Sequence, residues 1–180
     1  MSNPNDPNPL AILWELPYAA VDVSISNDVA YVTCDEQYQS SFQLVDVSAP
    51  ADPVLISSFA MTDGFVADSA FLGANTVVVA GSYGFGLQVI DFSDLNAGEI
   101  IGQTDEGSGL THICISGEYL YATNDFEFQV YDIVNPSEPV LLCHAVTPES
   151  ANGIHVADGY VYLTGDDGFY VFKALPSADQ

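Results

Sequence analysis

One stretch of text recurs four times along the chain, and that repetition limits the possible fold more than any other feature. Gln43-Leu-Val-Asp-Val47, Gln88-Val-Ile-Asp-Phe92, Gln129-Val-Tyr-Asp-Ile133 and Tyr170-Val-Phe-Lys-Ala174 align in one register. The fourth position is Asp46, Asp91, Asp132 and then Lys173, at spacings of 45, 41 and 41 residues. Upstream of each copy lies an apolar run, at residues 29–33, 76–80, 119–123 and 160–164, and before that another, at 21–26, 67–72, 111–116 and 153–157. Asn27-Asp28, Gly117-Glu118 and Asp158-Gly159 separate these two runs. Such residues tolerate left-handed backbone and favour tight hairpins. A fourth strand follows a proline-containing turn, as in Pro53-Val-Leu-Ile-Ser57 and Pro139-Val-Leu-Leu-Cys143, while the second unit uses Leu95-Asn-Ala-Gly-Glu-Ile100. Proline at a strand start loses no ladder bond and suits an outer edge. Each unit is thus four short antiparallel strands, the pattern of a β-propeller blade. The expected fold is an all-β propeller of four four-stranded blades.

The fourth unit stops after its third strand, and the other end of the chain carries what it lacks. Asn8-Pro-Leu-Ala-Ile-Leu-Trp-Glu-Leu16 is similar to Asp52-Pro-Val-Leu-Ile-Ser-Ser-Phe59. The N-terminal segment is therefore expected to supply the outer strand of the last blade. Leu10, Ile12, Trp14 and Leu16 would meet Val171 there, and a buried Trp14 ring would anchor the closure. Such closure removes an open sheet edge. Donated within one chain, the strand makes a four-bladed monomer. Exchanged between two chains, it makes an eight-bladed homodimer, and passed onward it makes a larger ring or filament. An oligomer is favoured, because four blades are the low end of the propeller range. Residues 1–8 read as a tail, 9–175 as the propeller and 176–180 as a second tail.

The text Leu87-Gln-Val-Ile-Asp-Phe-Ser-Asp94 and its copy Phe42-Gln-Leu-Val-Asp-Val-Ser-Ala-Pro-Ala-Asp-Pro-Val54 resemble the LVIVD repeat family. The resemblance runs from about residue 9 to 175 and weakens in the fourth unit, where Lys173 replaces the aspartate. It implies a β-propeller, commonly in bacterial and archaeal proteins that are secreted or at the cell surface. It implies no single reaction and no catalytic residues.

Charge excludes several functions. The 180 residues hold 25 Asp plus Glu against a single Lys, for a net charge of −24. A nucleic-acid binder displaces counterions with Lys and Arg, and an anionic membrane surface repels such a chain. No apolar run approaches a membrane span. The partners expected are proteins, including copies of the chain. Residues 1–9 show no basic region followed by an apolar one, so no signal peptide is visible. The acidic composition nevertheless fits a cell surface or a salty medium. Dense like charges repel at low ionic strength and are screened at high. The melting temperature is therefore expected to rise from very low salt to molar NaCl, and a flat profile would contradict this. Cys34, Cys114 and Cys143 form no disulfide or CxxC pattern and read as small buried hydrophobes.

Candidate chemistry is sparse. Asp22, Asp68, His112 and the nearby His155 fall on the innermost strands, where carboxylates and imidazoles around a channel are potential divalent-metal ligands. This is the alternative reading: a ligand- or metal-binding propeller, with an enzyme as one form of it. Loops between second and third strands carry Asp35, Glu36, Asp125, Glu127, Asp166 and Asp167, oxygen-rich enough for calcium but without EF-hand spacing. Solvated acidic loops and a structural channel are the simpler explanation, so no cofactor and no catalytic residue are expected. Gly81-Ser-Tyr-Gly-Phe-Gly86 lacks the lysine and helix of a phosphate cradle and reads as a hairpin turn. Asp46, Asp91 and Asp132 precede turns, where a carboxylate accepts backbone N–H bonds.

Overall fold

A computed structural model describes residues 11–13, 16–17, 19–36, 39–61, 64–73, 75–82, 86–106, 109–147 and 150–176. Strands are the only regular elements among them. The first sheet is β1 (Ala19–Ser26), β2 (Val29–Glu36), β3 (Gln39–Asp46) and β4 (Val54–Ala60). The second is β5 (Phe65–Phe71), β6 (Thr76–Ser82), β7 (Gly86–Asp91) and β8 (Glu99–Thr104). The third is β9 (His112–Ser116), β10 (Tyr119–Thr123), β11 (Glu127–Asp132) and β12 (Val140–Val146). The fourth is β13 (Ala151–Ala157), β14 (Tyr160–Gly165) and β15 (Gly168–Lys173). Each sheet is an antiparallel meander in chain order. The registers Tyr31↔Leu44, Val78↔Val89, Tyr121↔Val130 and Tyr162↔Val171 show that the four blades are equivalent position by position.

The expected turns are present. Asn27 and Asp28 have φ of 49° and 62°, and Asp158 and Gly159 have 51° and 78°. Both pairs close two-residue hairpins whose twist matches the strands. A backbone bond ties the end of each third strand to its inner turn: Val47 N donates to Asp28 O, Phe92 N to Asn75 O, Ile133 N to Glu118 O and Ala174 N to Gly159 O. The repeated aspartates form the expected Asx turns. Asp46, Asp91 and Asp132 accept from the N–H groups of Ser48, Ser93 and Val134 at 2.8, 2.8 and 2.9 Å. Hydrogen bonds from Ser48 hold the Asp46 carboxyl below its ordinary range.

The core sits between blades. Blades 1 and 2 bury Tyr31, Phe42 and Leu44 against Val77, Val79, Ile90 and Phe92. Blades 2 and 3 bury Val78, Leu87 and Val89 against Leu120, Ala122 and Tyr131. Blades 3 and 4 bury Tyr121, Phe128 and Val130 against Val161 and Leu163, with Phe172 alongside. Strand alternation explains this, since odd and even residues of a strand face opposite neighbours. The inner strands pack in sequence, β1 on β5, β5 on β9 and β9 on β13. The series then stops, and β13 and β1 are not packed in this way among the described residues.

The cysteines are not uniformly buried: Cys34 is, Cys114 is half-buried and Cys143 is exposed, because outer strand β12 has a solvent face. The closing residues Leu10 and Trp14 lie outside the described residues. Ile12 and Leu16 are described but belong to no strand, and Ile12 is exposed. Among the described residues no strand pairs with the outer edge of β15.

Candidate functional site

Candidate chemistry lies at the inner edge of the blades, and candidate contact surface lies at the two ends of the array. A bulge in β1, β5 and β13 places Asp22, Asp68 and Gly153 in one register, opposite Thr33, Ala80 and Thr164. His112 occupies the matching position in β9, opposite Thr123. The first two of these groups are committed to protein partners. Asp22 Oδ2 accepts the Ser69 hydroxyl at 2.6 Å. Asp68 accepts the N–H of Ser69 and that of Ile113, each at 2.8 Å. Asp22 therefore ties blade 1 to blade 2, and Asp68 ties blade 2 to blade 3. His155, which pairs with Tyr162, is exposed on β13 two residues beyond the inner-register position Gly153. Among the described residues no three His, Cys, Asp or Glu side chains converge to hold a metal ion.

Burial pushes the Asp68 carboxyl up, and the nearby Asp22 charge adds to this, against the two N–H bonds and His112. The unfolded chain ionises Asp68 in the ordinary carboxylate range, and the folded chain ionises it only above that range. Between the two values the folded state holds the extra proton, so this group's contribution to stability falls as pH rises through that window. Asp68→Asn is neutral throughout. Its melting temperature should gain on that of the wild type as pH rises from the ordinary carboxylate range through that window, and a constant difference between the two would refute the assignment.

The acidic loops are also engaged locally. Asp35 is buried and accepts the Ser40 hydroxyl at 2.6 Å. Glu127 accepts from Gln129 at 2.9 Å and lies 3.3 Å from His144. Those contacts hold its carboxyl below the ordinary range. Asp125 accepts the Ser150 hydroxyl, Asp166 the Asn152 amide and Asp167 the Tyr170 hydroxyl. The Glu36 side chain is outside the description.

Sequence reasoning missed a buried glutamine column. Gln43, Gln88 and Gln129 are 0, 7 and 2% exposed. Gln43 donates to Ser41 and Ser58. Gln129 Oε1 lies 2.6 Å from the Tyr131 hydroxyl, whose ionisation burial makes harder. The recurrence of Gln in the repeat was the available signal, but a polar residue in a strand reads as solvent-facing until its neighbours are known.

The free faces stand out by comparison with their internal counterparts. Phe42 and Leu44, then Leu87 and Val89, are wholly buried between blades. The matching Phe169 and Val171 of blade 4 are 62 and 52% exposed, and Tyr160 is also exposed. At the other end, Val21, Val23 and Ile25 of β1 form an exposed row. Lys173 ends β15 beside Tyr160, its partner in the register.

Residues 19–61 and 110–147 match the LVIVD repeat model. These segments are blades 1 and 3, and the equivalent registers extend the unit to the others. Among solved structures, the computationally designed Ika4 protein matches with a TM-score of 0.73 at 15% identity, covering 94% of this chain and 100% of its own. The designed Ika8 protein matches at 0.67 and 16% identity, over 86% of this chain and 46% of its own. The WD40 domain of Toxoplasma gondii coronin matches at 0.71 and 9% identity, over 86% of this chain and 43% of its own. The chain thus spans less than half the length of the latter two. No curated protein matches the sequence. The chain is an all-β propeller. In particular, two of its four blades match the LVIVD repeat.

Proposed function

We propose that this LVIVD-repeat propeller is a non-enzymatic interaction module that self-associates, working at a cell surface or outside the cell. The observation that carries the reading is the apolar surface left open at the two ends of the array, Tyr160, Phe169 and Val171 of blade 4 and the inner row Val21, Val23 and Ile25 of blade 1. Three like faces are filled within the chain, and leaving the remaining apolar surface in water is unfavourable. The inner aspartates support a non-enzymatic role, because Asp22 accepts from Ser69 of blade 2 and Asp68 from Ile113 of blade 3, a structural use of both carboxylates. The charge of −24 supports a saline setting, where screening lets two copies approach. Light scattering coupled to size exclusion, at low salt and in molar NaCl, tests it. Masses above the 19.2 kDa of one chain, growing with salt, are expected. A monomer at every salt and concentration would overturn it.

A further inference from the structure

We infer that the partner is a second copy of the chain, and that two copies close one eight-bladed ring in which blade 4 of each lies on blade 1 of the other. This rests on the self-association reading above. Every internal interface joins two different surfaces: a forward face such as Tyr31, Phe42 and Leu44, and a backward face such as Val77, Val79 and Ile90. Three such joints leave one forward face, that of blade 4, and one backward face, that of blade 1. The forward face offers Tyr160, Tyr162, Phe169 and Val171. On the backward face Ala30, Cys34, Gln43 and Val45 are already covered within the chain, so the surface left for a second copy is the inner row Val21, Val23 and Ile25. The new contact continues an interface the chain already makes three times.

Curvature selects the number of copies. Adjacent blades turn by about 90° in a four-bladed ring and about 45° in an eight-bladed one. Among the described residues β13 does not pack on β1 as the other inner strands pack on one another, and 86% of the chain superposes on 43% of a longer WD40 domain. That geometry is an arc and not a closed circle. Two arcs of four blades make eight, the upper end of the propeller range, whereas three would make twelve. A two-fold axis then uses the same joint twice and leaves no free face, which ends growth. Charge agrees with this pairing. Lys173, the only lysine, lies at the strand end that the repeat aligns with the Asn27-Asp28 turn, so it would bring a cation toward Asp28 of an acidic partner.

The test uses the full chain, with Val23→Glu and Val171→Glu made separately and their folds checked by circular dichroism. Both sites are more than half exposed, so the single chain tolerates them. In molar NaCl the wild type should run at twice the 19.2 kDa chain mass. Each variant should weaken dimerisation about a hundredfold. A mixture of the two should recover only a weak heterodimer, since one joint of the two survives. A polymer larger than a dimer, or a dimer insensitive to either variant, would overturn this pairing and leave self-association standing. A wild-type monomer would overturn both.

Discussion

Replacing Phe92 by alanine should cost about 3–5 kcal/mol, the range for deleting a buried aromatic ring. For a chain of this size that corresponds to a fall of about 10 °C in melting temperature. Phe92 is fully buried, and its ring meets those of Tyr31, Phe42 and Phe59 edge-on at centroid distances of 5.5, 5.8 and 5.8 Å. Those three belong to blade 1, so one side chain from blade 2 nails the two sheets together. Its seat is made by Gly98, where an added Cβ would lie 2.5 Å from the Phe92 ring. Urea unfolding of Phe92→Ala measures the effect. A loss below about 1 kcal/mol, ordinary for a surface site, would mean that the ring is not the keystone of this joint.

Gly102→Ala should also destabilise, by about 1–3 kcal/mol through overpacking. Gly102 lies on β8, and a Cβ there would sit 2.1 Å from the Pro136 carbonyl oxygen and 2.9 Å from Ser137 Cα. Both are backbone atoms of the turn that leads into β12, so no rotamer change relieves the clash. The outer strand of blade 2 must move away from blade 3. Gly73→Ala is the control, since nothing lies within 4 Å of a Cβ at that site. Equal melting temperatures for the two variants would show that blades 2 and 3 are not in this close contact.

How much of this was legible in the sequence varied with the range of the interaction. The Asx turns at Asp46, Asp91 and Asp132 are local, and spacing alone placed them. The same holds for Asn27-Asp28, whose left-handed backbone is a property of two residues. The inner aspartates were legible as residues of the innermost strands, but their hydrogen-bond partners were not. Whether Asp22 faces a channel or the Ser69 hydroxyl depends on a bulge at residue 21 and on the approach of a second sheet, neither of which is written in the repeat. The glutamines were hidden for a similar reason: the repeat marks them as conspicuous without saying that both faces of the strand are covered. The curvature of the array was hidden most deeply. A 41-residue period specifies a blade, but the angle between blades follows from side-chain volumes across each joint, summed over three joints.

Lys173 has a practical consequence for anyone handling this protein. Trypsin cuts after lysine and arginine, and this chain offers it a single bond, at the end of β15. Digestion there removes seven residues and leaves all fifteen strands covalently whole, folded or not. Survival in trypsin therefore carries no information about folding, and a protease that cuts at aromatic or aliphatic residues is the one to use. Amine-reactive labels likewise find one side chain, so coupling this protein to a bead through its lysine would tether it by blade 4.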